Sequence, residues 1–231
     1  MDFEIEPRTL PTPLPTNPWP MLRDWFDDAR ESAGQPNPNA VYLGTVDSDG
    51  RPSVRTVLCK GMDPERGYIV FFTNYQSRKA RDLEATGRAA ALMHWDRLDK
   101  QIRIEGRVVR SPAEESDAYF RSRRLLSRIG AWASNQSRPI AQHDELMVRV
   151  AETAQRFGVS LEDVLDPKAD ADIPRPPHWG GYRLVADRVE LWLGADGRLH
   201  DRAVWARDLP DDLVALKPFG DGDWSATRLQ P

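Results

Sequence analysis

Hydrophobic and polar positions alternate along this chain in short runs, and that alternation sets the first map of its elements. Between residues 55 and 60, Arg55, Val57 and Cys59 fall on one side and Thr56, Leu58 and Lys60 on the other. This is the period of two that a half-buried strand needs. The same reading predicts strands over 40–46 and 53–60, joined through Asp47-Ser48-Asp49-Gly50, a hairpin signal. Asp63, Pro64 and Gly67 supply the next turn, and β-branched and aromatic residues fill 68–73. Strands follow over 89–95 and 101–110, the second with Ile102 and Ile104 set against Arg103 and Glu105. Gly106 inside that run predicts a bulge or a close backbone approach. Residues 181–193 read as two strands about a turn at Ala186-Asp187, and 202–206 and 224–229 close the series.

Helical spacing appears between these runs. Leu22, Trp25, Phe26 and Ala29 make one apolar face of a helix over 21–33. Further helices are predicted over 77–86 and 144–157, and Ser111 with Glu114 reads as a capping box opening a helix that carries Tyr119 and Arg123. Residues 1–20 hold six prolines and little periodicity, which predicts an extended N-terminal arm suited to lie on a partner subunit. The Asp- and Pro-rich stretch 158–177 reads as a surface connection. Hairpins with inserted helices, without βαβ alternation, predict a mainly β fold with peripheral helices (α+β): an antiparallel sheet or barrel, with residues 21–231 as one domain.

Composition narrows the function classes. A 40% hydrophobic and 29% charged chain reads as soluble and globular. The net charge of −4 argues against a general nucleic-acid binder while leaving room for a local basic pocket. No apolar run approaches a membrane span, and the N-terminus lacks the basic and apolar regions of a signal peptide. The single cysteine, Cys59, forms no internal disulfide, which suits a reducing cytoplasm; inside an apolar strand it is a poor nucleophile. His94, His143, His178 and His200 are scattered without ligand spacing, so no metal is expected. The dinucleotide fingerprint, the P-loop and the nucleophile elbow are all missing from the sequence.

Three stretches carry candidate chemistry. In 55–79, cations stand on a strand (Arg55, Lys60) and at a helix start (Arg78, Lys79), where backbone N–H groups add to them; a solvated hairpin with ordinary surface charge fits the same residues. In 119–137, Tyr119 and Arg123 share a helix face and, with the Ser127 hydroxyl, make an anion cradle; an exposed helix end is the plain alternative. In 192–202, Arg198, His200 and Arg202 project to one side of an extended chain beside Trp192, either as a site or as a polar sheet edge.

The blocks RTVLCKG, FFTNYQSRK, QIRIEGRV, YFRSR, IGAWASNQS, RPPHWGGYRL, W-x5-RLHDR and the C-terminal RLQP, in this order from about residue 36 onward, resemble the pyridoxine/pyridoxamine 5′-phosphate oxidase family. The resemblance implies an FMN-binding split β-barrel, a homodimer with FMN at the subunit interface, and oxidation of pyridoxamine or pyridoxine 5′-phosphate to pyridoxal 5′-phosphate by O2. Carried over residue by residue, it implies that Arg55, Thr56, Val57, Leu58, Cys59, Lys60, Phe72, Thr73, Arg78, Lys79, Gln101, Gln136, Ser137, Trp192 and Arg202 hold FMN. It likewise gives the substrate phosphate to Lys60, Tyr119, Arg123 and Ser127, and sets Arg198 and His200 against the substrate ring as the catalytic pair. The family's S-R-P-R-x-S-Q run is altered here: Arg124 replaces the proline, Leu125 the second arginine and Arg128 the glutamine. The arm also lacks the family's R-x-x-Y motif, with Arg8 the nearest cation. A same-scaffold FMN oxidase of the phenazine type, and a non-catalytic flavin- or pyridoxal-phosphate-binding protein, are the alternatives.

Overall fold

The computed structural model describes residues 8–220 and 222–231. Nine strands are seen among them: β1 (Ala40–Val46), β2 (Pro52–Leu58), β3 (Gly61–Asp63), β4 (Tyr68–Asn74), β5 (Arg88–Trp95), β6 (Lys100–Arg110), β7 (Trp179–Leu193), β8 (Asp201–Ala206) and β9 (Ser225–Leu229). They form one antiparallel sheet in the order β2-β1-β5-β6-β7-β4-β3, and β8 and β9 continue from the far half of β7. The sheet curls until β2 lies beside β4 without a ladder between them. Beyond the end of β2, where the β3–β4 pairing begins, the Lys60 N–H donates to the Val70 carbonyl at 2.8 Å.

Curling gives the sheet an inside and an outside. Val41, Leu43, Ala91, Met93, Ile102, Ile104, Val189, Leu191 and Trp205 point inward and are buried. Helix α1 (Trp19–Ser32) packs Leu22, Trp25, Phe26 and Ala29 into this core, the face read from its spacing. It starts two residues before the predicted boundary, because Pro20 sits in the first turn, where its missing N–H costs nothing. A second core unites α3 (Ala113–Arg121), α4 (Leu125–Ala133), α5 (His143–Arg156) and α6 (Leu161–Leu165) around Phe120, Ile129, Val150 and Val164. The predicted surface connection over 158–177 thus contains α6 and buries Val164 and Ile173.

The N-terminal arm, as far as it is described, lies on its own chain. Leu10 is buried in the main core, its N–H donates to Asp201, and the Trp205 indole N–H donates to the Pro15 carbonyl. Arg228 on β9 donates to the Leu10 and Pro11 carbonyls and the Thr12 hydroxyl, and pairs with Asp201 at 2.9 Å.

Two local expectations are corrected. Ser111 does not cap α3: its backbone N–H is drawn into the sheet by the Gly181 carbonyl, and Pro112 takes the N-cap position. The turn expected at Ala186-Asp187 is a bulge within one continuous 15-residue strand. Gly106 pairs with Ala186 while Glu105 pairs with Arg188, which leaves Asp187 as the extra residue. The turn-forming character of Asp187 is spent on side-chain and backbone bonds instead, accepting from Arg88 at 3.1 Å and from the Arg207 N–H at 2.9 Å.

The bulge depends on Gly106, where an added Cβ would lie 1.9 Å from the Val185 carbonyl oxygen. Because the obstacle is backbone, Gly106→Ala is expected to destabilise the fold by about 1–3 kcal/mol or more. A urea-unfolding series that leaves the midpoint unchanged would contradict this.

Candidate active site

The seam between β2 and β4 opens into a cleft of about 280 Å³. β2 and the residues after it contribute Thr56, Val57, Leu58 and Lys60, β4 gives Phe72 and Thr73, and α2 (Arg78–Thr86) gives Lys79. Tyr119, Arg123, Gln136 and Trp179 complete the lining from the helical side. Phe72 stacks on Tyr119 with centroids 4.1 Å apart and on Trp179 at 5.5 Å, which makes an aromatic wall. The Arg123 guanidinium lies 4.5 Å above the Trp179 ring, and the Lys60 ammonium stands 6.0 Å from the Tyr119 centroid.

Lys79 is the most telling group in this cleft. It is only 9% exposed, yet among the described residues its ammonium meets three neutral oxygens and no carboxylate: Thr73 Oγ1 at 3.1 Å, Gln136 Oε1 at 3.0 Å and Ser77 Oγ at 3.3 Å. Burial, with the neighbouring Arg55 charge, pushes its pKa down to about 8. Ser77 caps α2, whose first turn has no acidic residue and holds Arg78 and Lys79 instead. Cations at a helix N-terminus oppose the macrodipole, so this arrangement suits an anion placed between them. Arg123 repeats the pattern: its Nη1 is buried and has no hydrogen-bond partner among the described residues, and burial lowers its pKa. Tyr119 and Arg123 do not share a helix as expected, since α3 ends at Arg121; the chain turns at Ser122 and brings Arg123 back over Trp179.

A second group lies on the outer face of the sheet. Gln101 pairs with Trp192 and Trp192 with Arg202, so the three side chains share one face. The His200 ring sits 4.5 Å from Trp192, and its Nδ1 accepts from the Ala195 N–H at 3.1 Å. The expected alternation of Arg198, His200 and Arg202 is not formed. Residues Asp196–Arg198 make a tight turn, Arg198 has a φ of 63° and is exposed, and extended chain resumes only at Asp201. Trp179 and Trp192 stand at or near opposite ends of β7, with about 40 Å of strand between them at the usual rise per residue. One protomer therefore does not combine the two groups in a single pocket.

The remaining candidates stand apart from the cleft lining. Arg55 is committed to the Leu43 carbonyl, the Thr45 hydroxyl and Asp82. Cys59 turns its thiol to the Gly61 carbonyl in the core, where burial raises its pKa to about 11. Arg78, Ser127 and Ser137 are exposed. Trp179 lines the cleft without having been singled out; a large aromatic opening a strand directly after Arg175-Pro-Pro-His178 is the available signal. Glu190 was also missed, a lone carboxylate in the apolar run from Val189 to Leu193.

Comparison with known proteins bears on this pair of groups. Residues 29–157 match the family described as pyridoxamine 5′-phosphate oxidase, and 179–231 match the pyridoxine 5′-phosphate oxidase C-terminal dimerisation region. The chain belongs to the pyridoxine/pyridoxamine 5′-phosphate oxidase family. Within this family of oxidoreductases, the chain is 48% identical over 215 residues to the pyridoxine/pyridoxamine 5′-phosphate oxidase of Paraburkholderia phytofirmans, covering 93% of this chain and 89% of that one. It is 44% identical to that of Roseobacter denitrificans, covering 93% and 94%. Among solved structures it resembles PhzG from Burkholderia lata in complex with tetrahydrophenazine-1-carboxylic acid, with a TM-score of 0.76, 31% identity and 94% of both chains covered. An FMN-binding protein from Nostoc punctiforme, described as related to pyridoxamine 5′-phosphate oxidase, shares the fold with a TM-score of 0.65 at 16% identity, over 93% of this chain and 98% of that one. The curled sheet with its open seam is thus the split barrel of this oxidase family.

The Lys79 ammonium gives a pH signature. Its folded pKa of about 8 lies below the ordinary 10.5. Between these values the unfolded chain binds more protons, so stability of the ligand-free protein rises with pH, and below 8 the burial cost is fully present. Lys79→Met should stabilise the ligand-free protein near pH 7, and its advantage should shrink between pH 8 and 10.5. Urea unfolding at pH 7.5 and pH 10 measures this; an advantage independent of pH would show the ammonium to be solvated.

Proposed function

We propose that this protein binds FMN and oxidises pyridoxamine 5′-phosphate and pyridoxine 5′-phosphate to pyridoxal 5′-phosphate, in the cytoplasm and as a homodimer. The observation that carries this reading is the pair of cations, buried Lys79 and half-buried Arg123, that face one aromatic-walled cleft with no carboxylate partner among the described residues. Burying a charge without a counter-ion is costly, and a phosphate supplies the missing charge and the acceptor oxygens together. The comparisons support the reaction through the relatives' shared name, and the dimer through the dimerisation region.

The residues fit two phosphorylated ligands. Lys79, Thr73, Gln136 and the α2 N-terminus would hold the FMN phosphate, with Thr56, Val57 and Leu58 along its flank; Lys60, Tyr119 and Arg123 would hold the substrate phosphate. Gln101, Trp192 and Arg202, on the outer sheet face, would reach the cofactor from the second subunit. The separation of the two groups along β7 supports an interface site, because a symmetric dimer can set one copy's outer face against the other's cleft. Tyr42, at 47% exposure, and Val54, at 70%, are apolar positions left open on that half of the sheet. The chemistry that FMN supplies when bound is acceptance of a hydride and return to its oxidised form by O2, with release of H2O2. The chain's own task is to hold the substrate by its phosphate and by Arg198 and His200, so that the reacting carbon is fixed in place.

A phenazine-type substrate is the second reading, favoured by the 31% identity to PhzG. Turnover in air with pyridoxamine phosphate, followed by pyridoxal phosphate absorbance and H2O2, separates the two; FMN uptake without turnover would favour the second. Arg123→Ala should raise KM for the phosphorylated substrate about 10-fold or more, the effect of losing one charge-assisted hydrogen bond. Arg198→Ala should cut activity strongly with FMN still bound. Unchanged kinetics in either variant would remove that residue from the site.

A further inference from the structure

Arg202 is held by a carboxylate that no part of the reaction requires. Glu190 lies one rung along the outer face from Trp192 and Arg202, with Arg103 and Val204 as its cross-strand neighbours. It is 4% exposed, accepts from Arg202 Nη2 at 2.7 Å and from Arg103 Nη1 at 3.1 Å, and Arg103 is held in turn by Glu105 at 2.5 Å. Arg103 thus has two carboxylates, whereas among the described residues Arg202 has Glu190 alone. The Arg202 Nε is buried and has no hydrogen-bond partner among the described residues. One edge of this guanidinium is therefore fixed while another donor is left without an acceptor. The Nε is closed off by the protein, but the side chain as a whole keeps 26% exposure, so its guanidinium is fixed on one edge while part of it stays open to a ligand.

We propose that Glu190 is a positioning residue: it locks the rotamer-rich Arg202 side chain so that its remaining donors stay directed at a hydrogen-bond acceptor of the flavin cofactor. This rests on the reading of Arg202 as an FMN contact. A buried carboxylate in an apolar strand run is an expensive choice for packing alone, because an apolar residue of similar volume is often neutral or better. A fixed guanidinium loses less freedom when the ligand arrives.

The test is a double-mutant cycle on FMN affinity, read by quenching of flavin fluorescence on titration into the FMN-free protein. Glu190→Ala should weaken FMN binding about 10-fold or more, and Glu190→Gln, which keeps one acceptor oxygen, should weaken it less. Glu190→Ala combined with Arg202→Ala should bind no worse than Arg202→Ala alone. The dimer mass of the FMN-free protein should stay near that of the native chain, and the loss of affinity should persist at temperatures well below any lowered melting temperature. If Glu190→Ala does not fold, Glu190→Gln carries the same cycle. Additive losses, or a loss of affinity that only follows a fallen melting temperature, would overturn the proposal. Native-like FMN binding by Arg202→Ala would overturn it by removing Arg202 from the site, while native protein that takes up no FMN would instead refute the proposed function.

Discussion

The long antiparallel ladder between β6 and β7 is the constraint on which the rest of the molecule depends. Its inward residues, Ile102, Ile104, Val189 and Leu191, anchor the main core, and its outward residues include Gln101, Arg103, Glu190 and Trp192. β7 also pairs with β4 over its first half and with β8 over its second. One strand thus places Trp179 in the cleft and Trp192 on the opposite flank. The bulge at Asp187 lets this happen: it bends the strand at the point where it changes partners, and Gly106 admits the backbone there.

The two halves of the site treat charge differently. In the cleft, Lys79 and Arg123 have neutral oxygens and aromatic faces around them, so their charge is left for a ligand. On the outer face Arg103 and Arg202 share the Glu190 carboxylate, so their charge is largely answered within the protein. The first arrangement suits binding of a phosphate; the second suits holding a donor in a fixed direction. Both cost desolvation, and both are supported by the packing of the sheet beneath them.

Most of the strand pattern was legible because it rests on a period of two with clear turn residues. β1 agrees with its predicted limits, and the expectation at Gly106 of a bulge or a close backbone approach is met by a bulge opposite it on β7 and by the Val185 carbonyl against it. The Ala186-Asp187 turn was misread because a bulge and a turn draw on the same residue types, and only the partner strand's register separates them. The Ser111 cap failed for a related reason: a neighbouring strand competed for the same backbone group. In the site, Lys79 and Tyr119 were readable as cations and hydroxyls near turns, and the family's blocks pointed to them. Trp179 and Glu190 were not, since their roles come from cross-strand neighbours that are distant in sequence.

Arg228 has a further consequence. By binding the carbonyls of Leu10 and Pro11 from β9, it fastens the beginning of the described chain to its last strand. Opening of that sheet edge and departure of the arm become one cooperative event, not two independent frayings. In hydrogen exchange, amides of β9 and the Leu10 N–H, which is tied to Asp201, then belong to one protection class, although more than 200 positions of sequence separate Arg228 from Leu10.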